Sequence, residues 1–330
     1  MIVITGAAGF IGRNVAAALN ARGRTDLLLA DRLGTDQKWR NLRGLEFEDL
    51  LTPEELLDRL ESTSDGSVEA VLHLGACSAT TETDADFLLA NNYRYTRRLA
   101  EWAVRASVRF VYASSAATYG DGALGYHDDD KVTPALRPLN MYGYSKHMFD
   151  LWALRSGLLT QIVGLKYFNV YGPYEDHKGD MRSVVHKAYG QILDAGHLSL
   201  FRSHRPDFAD GEQRRDFIHV DDAVAVTLHF LDHRDVSGLF NCGTGVARTW
   251  LDLGRAVFAA MDREPDIRFV DMPEALRSTY QYLTQADPAK LRAAGYTADF
   301  LTLEEGVMRY VRGHLRTLYA EAAGSREAGR

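Results

Sequence analysis

Residues 1–23, "MIVITGAAGFIGRNVAAALNARG", confine the fold of this chain more tightly than any other stretch. A short apolar, β-rich run passes through Gly6, Gly9 and Gly12 into a pattern of helical period. Glycines at such a strand-to-helix turn permit a tight bend, let the backbone approach a pyrophosphate and bring helix close to strand. The helix N-terminus adds amides and partial positive charge for the phosphates. The spacing is GxxGxxG rather than GxGxxG, and a glycine triplet alone is a weak signal. Its context strengthens it: a strand before, a helix after, and an acid about twenty residues on. That acid is Asp31, which ends the second apolar run in "LLLADRL". A carboxylate there accepts hydrogen bonds from an adenosine ribose and repels a 2′-phosphate, which favours NAD. Arg32 and Lys38 follow in the next loop and can neutralise a 2′-phosphate, which favours NADP. The residues leave both cofactors open, and as plain surface charges Arg32 and Lys38 would favour neither.

To about residue 170, β-rich runs alternate with helical patterns, the rhythm of βαβ units and a parallel sheet. "MIVIT", "DLLLAD", "VEAVLHLG", "RFVYASS" and "QIVGLKYFN" read as strands, and residues 10–22, 53–61, 83–106 and 140–156 as helices. Beyond 170 the pattern becomes irregular. The stretch "FRSHRPDFADGEQRRDF" is too polar for a core element, and its residues 202–213 read as a loop. Helical periodicity returns at 181–195, 221–233, 249–261 and 303–319, with a strand-like "GLFNCG" between. The expectation is an α/β fold: a doubly wound parallel sheet in a dinucleotide-binding domain, 1–170, and a smaller C-terminal α/β substrate-binding lobe, 171–330, with segments free to return to the large domain. The final "EAAGSREAGR" has little to bury and is expected to fray. No internal repeat is present.

"YGYSK" places Tyr142 and Lys146 four positions apart, on one face of a helix. A phenol is a poor base at neutral pH, but an adjacent ammonium and an oxidised nicotinamide both favour its phenolate. With 16 Tyr in the chain, a chance YxxxK match is expected in roughly one such sequence in three, so the motif needs support from its surroundings. The support is "YASSAATYG", which brings the hydroxyls of Ser114 and Ser115 to the carboxyl end of a strand, where open α/β sheets bind ligands. Without that context, Tyr142 and Lys146 would merely decorate a helix.

Bulk properties exclude several classes of function. A formal charge of −7 argues against a general nucleic-acid binder. No apolar run approaches the roughly 18 to 20 residues of a membrane span. The chain opens directly on a strand pattern, so no secretory leader is expected and a cytoplasmic location is. Cys77 and Cys242 have no metal-ligand spacing and read as two reduced thiols, and no metal is expected.

"TGAAGFIG", "SSAATYG" and "YGYSK", in this order, resemble the extended short-chain dehydrogenase/reductase family, whose members have a Rossmann-like sheet and act largely on nucleotide sugars. Longer strings, among them "GACSATTETD", "NNYRYT", "NMYGYSKHMFD", "QIVGLKYFNVYGPYEDHKG", "QRRDFIHVDD" and "YQYLTQAD", are similar to its nucleotide-sugar epimerases that invert carbon 6 of ADP-heptose for lipopolysaccharide. The resemblance implies a homo-oligomer holding NADP, with NAD as the alternative, and a transient 6-keto sugar with no net redox. It implies Tyr142 as one acid–base group, supported by Lys146, Lys178 of "EDHKG" as the second, and Ser115 rather than Ser114 at the substrate oxygen. Taken alone, Lys178 would read as a loop lysine in water.

Cofactor contacts are implied at Gly6, Gly9, Phe10, Ile11 and Gly12, at Asp31, Arg32 and Lys38, at Leu74, Gly75, Ala76, Cys77 and Ser78, and at Asn91, Lys146, Val170 and Lys178. Substrate contacts are implied at Ser115, Asn169, Phe201, Arg202, Ser203, His204, Arg215 and Tyr280. Asp180 stands where the family has serine, and His186 or Lys187 only approximates a family histidine. Ala116 and Ala117 stand where the family's dehydratases carry an Asp-Glu pair, so dehydration lacks its acid and base. A carbon-4 epimerase sharing the same Ser, Tyr and Lys, and a nucleotide-sensing protein without catalysis, remain as alternatives. Lys178 speaks against the first, and intact Tyr142, Lys146 and Ser115 against the second.

Overall fold

The computed structural model describes residues 1–62, 66–277 and 280–328. Six strands form in the N-terminal half: β1 (Ile2–Thr5), β2 (Leu27–Ala30), β3 (Asp49–Leu51), β4 (Ala70–His73), β5 (Arg109–Ser115) and β6 (Val163–Tyr167). Six more follow: β7 (Asn169–Tyr171), β8 (Leu198–Phe201), β9 (Arg214–His219), β10 (Gly238–Cys242), β11 (Ala247–Thr249) and β12 (Ile267–Val270). Seven build one sheet in the order β10-β6-β5-β4-β1-β2-β3, and every pairing in it is parallel.

The parallel sheet follows from side chains that are apolar on both faces. Ile2 and Ile4 pack into one core with Leu27, Leu29, Ala70 and Leu72, beneath the helices Phe10–Ala21 and Val220–Asp232. Val3, Leu28, Val71, Phe110 and Tyr112 point the other way, against Pro53–Ser62, Tyr95–Arg105 and Met141–Arg155. A sheet sandwiched in this way needs continuous hydrophobic strands, which "MIVIT" and "DLLLAD" supply. The strand-like "GLFNCG" becomes β10 at the sheet edge, and Val220–Asp232 covers the same sheet, so the chain returns to the large layer after crossing β8 and β9.

The smaller lobe has its own core, in which Val185, Ile192, Phe217, Leu253, Val257, Val307 and Val311 meet. Its strands form two small sheets: β11-β9-β7, with β7 and β9 parallel and β11 antiparallel to β9, and β12 paired with β8. The helix expected at 83–106 is one run that widens into a π turn at Leu89–Arg94, and that at 303–319 does the same at Val311–Leu315. The helix expected at 181–195 begins at Val184, where the Ser183 hydroxyl caps it, because Asp176–Met181 forms a separate 3₁₀ turn broken at Gly179 (φ 53, ψ −125). The tail expected to fray continues the helix Arg316–Ala328; Leu318 and Tyr319, just before it, pack against the lobe core, and residues 329–330 lie outside the described residues. Residues 202–213 remain without regular structure. Both cysteines are free, and no described helix is long and apolar enough to cross a membrane.

Candidate active site

The strand order reverses between β1 and β4, and the carboxyl ends of these strands open a crevice there. A cleft of about 720 Å³ runs from the glycine turn past the ends of β4 and β5 to the small lobe. The glycines are obligatory. A Cβ on Gly6 (φ +68) would lie 2.6 Å from the Gly75 backbone, and one on Gly12 2.1 Å from the Gly6 carbonyl oxygen. Gly9 leaves the same crowded turn and opens the helix Phe10–Ala21, so the floor of the cleft is bare backbone at a helix N-terminus. Thr5 and Thr96 hold His73 from both sides through its two ring nitrogens, at 2.6 and 2.8 Å, and Thr5 Oγ1 also accepts from the Gly75 amide at 3.1 Å. The two central strand ends are thereby tied together.

At the far end of the cleft Asp31 accepts three hydrogen bonds. Its Oδ2 accepts from the Ala8 amide at 2.8 Å, and its Oδ1 from the Arg32 amide at 2.7 Å and from Lys38 Nζ at 2.6 Å. Arg32 is exposed and pairs with Glu54. Both cations line the cleft beside the carboxylate.

Asn140 caps the helix Met141–Arg155, its side chain accepting from the Gly143 amide at 2.8 Å. The cap fixes the turn that aims Tyr142 and Lys146 at the ends of β4 and β5. Both side chains line the cleft together with Ser115 and Cys77. Lys146 Nζ donates to the Ala113 carbonyl at 2.8 Å, and burial draws the ammonium down to about 8, opposed by the Asp150 carboxylate and Cys77. Burial pushes the Tyr142 phenol up, and the Ser115 hydroxyl opposes the shift. Ser114 turns inward instead, donating to Asp150 Oδ2 at 2.7 Å.

Lys178 reaches the same cleft from a different element, the turn Asp176–Met181. Its ammonium lies 5.2 Å from the centroid of the Phe10 ring, and burial lowers its pKa while the Glu175 carboxylate opposes the shift. The turn is clasped at its base: buried Glu175 accepts from the Ser183 amide at 2.6 Å and from its hydroxyl at 2.5 Å. A cation and a phenol on separate parts of the fold therefore line one cleft.

The glycines, Phe10, Ile11, Leu74 to Ser78, Asn169 and Val170 also border this cleft. Asn91 does not. Its amide donates to Asn92 Oδ1 at 3.0 Å, and Asn92 is the residue that grips the Cys77 backbone, because the π turn rotates Asn92 inward. Asp180 is exposed, and its carbonyl accepts from Lys187, so both lie outside the cleft. His186 is buried behind it, 3.0 Å from Asp176 Oδ1, because the Ser183 cap turns that face of the helix toward the lobe core. Phe201, Arg202, Ser203 and His204 sit on the end of β8 and its loop, clear of the cleft lining; Arg202 pairs there with Asp210 and Asp271. Arg215 and Tyr280 form an annex. The Arg215 guanidinium lies 5.0 Å from the Tyr280 ring centroid and 5.5 Å from that of Trp250, whose indole donates to Tyr280 Oη at 2.8 Å. Trp250, together with His177, Met181, Arg182 and Phe217, lines the cleft without having been singled out in the sequence. Only the neighbourhood of Lys178 could have drawn attention to the middle three.

The NAD dependent epimerase/dehydratase family model matches residues 2–243. The ADP-L-glycero-D-manno-heptose-6-epimerase of Nitratidesulfovibrio vulgaris is 54% identical over 316 residues, 96% of this chain and 98% of that protein. The crystal structure of the enzyme of that name from Helicobacter pylori superposes with a TM-score of 0.78 at 26% identity, covering 94% of each chain. MoeE5, solved with UDP-glucose and NAD, superposes with a TM-score of 0.73 at 27% identity, covering 96% of this chain and 99% of that one.

Proposed function

This chain belongs to the NAD dependent epimerase/dehydratase family, and we propose that it inverts carbon 6 of ADP-D-glycero-D-manno-heptose to give the L-glycero epimer. The observation that carries the reading is that Tyr142 and Lys178, borne by separate elements, line one cleft that ends in a glycine cradle. The substrate class comes from the relatives in Nitratidesulfovibrio vulgaris and Helicobacter pylori.

The bare backbone at Gly6, Gly9 and Gly12 fits the pyrophosphate of a dinucleotide, since any Cβ there would occupy the space or strike the turn. Lys38 and Arg32, with Asp31 already neutralised, favour a 2′-phosphate on the ribose and hence NADP. Bound, the nicotinamide supplies a reversible acceptor for the hydride of carbon 6.

A saturated carbon cannot invert without breaking a bond, so the sugar must pass through a 6-ketone. Tyr142, as phenolate, takes the proton of the 6-hydroxyl as the ketone forms, and Ser115 donates a hydrogen bond to the same oxygen. Lys146 stabilises the phenolate, which burial alone disfavours. Once the ketone turns over, its oxygen faces Lys178, whose ammonium donates a proton to it as carbon 6 regains its hydride; Tyr142 then loses its proton to water and Lys178 regains one, which restores phenolate and ammonium. Burial of Lys178 makes that ammonium a better acid than a lysine in water. The annex of Arg215, Trp250 and Tyr280 offers a buried guanidinium and two ring faces to the ADP moiety.

The test is to incubate the purified protein with ADP-D-glycero-D-manno-heptose carrying deuterium at carbon 6 and to follow its configuration by NMR. Appearance of the L-glycero epimer with deuterium retained supports the reading. Binding without change at carbon 6, or exchange of the label into water, overturns it.

A further inference from the structure

Beneath Tyr142 and Lys146 lies a pair of charges that the proton transfers do not touch. Asp150 stands one turn beyond Lys146 on the same helix and is 0% exposed. Its carboxylate accepts from Tyr112 Oη at 2.9 Å and from Ser114 Oγ at 2.7 Å, both on β5. Lys166 on β6, opposite Ser114 in the strand register, is equally buried. Its Nζ donates to Thr118 Oγ1 at 2.7 Å, lies 3.5 Å from Asp150 Oδ2 and sits 4.4 Å from the centroid of the Tyr119 ring. Buried ion pairs are costly, and apolar replacements are often as stable, so fold stability alone is a poor reason for this one.

Position supplies a better reason. Lys146 donates to the carbonyl of Ala113, the residue between Tyr112 and Ser114, the two that hold Asp150. Lys146 and Asp150, both buried, thus clasp one short piece of β5 from successive turns of one helix, where screening is weak. We propose that Asp150 and Lys166 are positioning residues for the epimerisation, Asp150 holding Lys146 as its ammonium and Lys166 limiting how strongly it does so. The proposal rests on the reading of Tyr142 and Lys146 given above.

The groups around the pair agree with these signs. From its own helix Lys146 meets Tyr142 in the cleft and the field of Asp150, from the loop after β4 that of Cys77, and it acts on His73 of β4. Asp150 also acts on His147, and Lys166 feels Asp128 and Lys290 from beyond β6. Burial lowers Lys146 to about 8 with Asp150 opposing. Loss of Asp150 would take the ammonium below the pH at which it has to support a phenolate. Loss of Lys166 would leave Asp150 less compensated and raise the Lys146 midpoint.

The experiment compares wild type, Asp150→Asn and Lys166→Met in two ways. The first is an NMR titration of the Lys146 ammonium in protein carrying ¹⁵N-lysine, assigned with Lys146→Met. The second is the pH profile of epimerisation. In Asp150→Asn the Lys146 proton affinity should fall about tenfold and the alkaline limb of activity should move down with it. In Lys166→Met both should move up. Midpoints that coincide in all three proteins would overturn the proposal, as would shifts of the same sign. Should Asp150→Asn not fold, the sign of the Lys166→Met shift decides. The titration needs no turnover, so an inactive wild type would count against the proposed reaction and leave the field of Asp150 to be read directly.

Discussion

Lys38 donates to Asp31 Oδ1 at 2.6 Å, so the carboxylate that ends β2 carries its own counter-ion. A bare carboxylate at this position would repel a ribose 2′-phosphate. A paired one is neutralised, and on the reading proposed above Lys38, together with Arg32 once it leaves its exposed pairing with Glu54, receives the phosphate. Charge-assisted hydrogen bonds of this kind contribute about 1.5–3 kcal/mol. Lys38→Ala is therefore expected to weaken NADP binding by roughly 10- to 100-fold while changing NAD affinity little. Calorimetric titration of both nucleotides into cofactor-free protein checks this. Equal losses for both would mean that Lys38 does not read the 2′-phosphate.

Lys178 and Tyr142 line one cleft from separate elements, and inversion requires a proton donor on each side of the ketone. Lys178→Met keeps most of the side-chain volume against Phe10 and removes the ammonium. Cofactor occupancy should be preserved and epimerisation should slow by about 10²- to 10⁴-fold, the range of a lost general acid. Bound-nicotinamide absorbance and NMR turnover assays read the two quantities separately. Near-normal turnover would remove Lys178 from the mechanism.

The parts of this protein that could be read from the sequence are those whose physics is local. The glycine turn, the alternating sheet and the helix bearing Tyr142 and Lys146 are written in contiguous periodicity, and the structure places them as read. Parts that depend on distant pairing were hidden. β7 and β11 are three residues each and find β9 only through the small lobe, and β3 has three residues at a sheet edge. Asn91 and Asn92 are adjacent in sequence, but the π turn decides which of them faces Cys77, and periodicity carries no signal for an extra residue in a turn. His186 and Lys187 were separated in the same way, by where the Ser183 cap started the helix. Trp250 enters the cleft from far along the chain, and only the fold brings it beside Arg215.

Gly12 allows a test of the cradle that does not depend on catalysis. A Cβ there would lie 2.1 Å from the Gly6 carbonyl oxygen, a backbone atom that can retreat only if the turn opens. Gly12→Ala should lose the dinucleotide and lower the melting temperature, whereas Gly23→Ala, whose Cβ would meet nothing within 4 Å, should retain the dinucleotide. The cost at Gly12 is expected at about 1–3 kcal/mol, as for other overpacked sites. Thermal unfolding with and without added cofactor distinguishes the two effects. A Gly12→Ala protein that binds normally would show the turn to be more yielding than its geometry indicates.

His73 sets an acid limit on stability. Burial, with Lys146 nearby, lowers its pKa to about 3, and both ring nitrogens are occupied by the hydroxyls of Thr5 and Thr96. In the unfolded chain the imidazole titrates near ~6.5, so below that pH the unfolded state binds a proton that the folded state refuses. Stability from this group is complete above about 6.5 and is lost progressively as the pH falls toward 3. The total over that window is on the order of 4–5 kcal/mol. His73→Gln should be less stable than wild type at pH 8, where the hydrogen bonds to the threonines are disturbed, and its unfolding free energy should fall less steeply between pH 6.5 and 4. Denaturant unfolding at half-unit intervals of pH measures both slopes. Parallel curves for the two proteins would mean that His73 takes up its proton as readily in the folded state as in the unfolded chain.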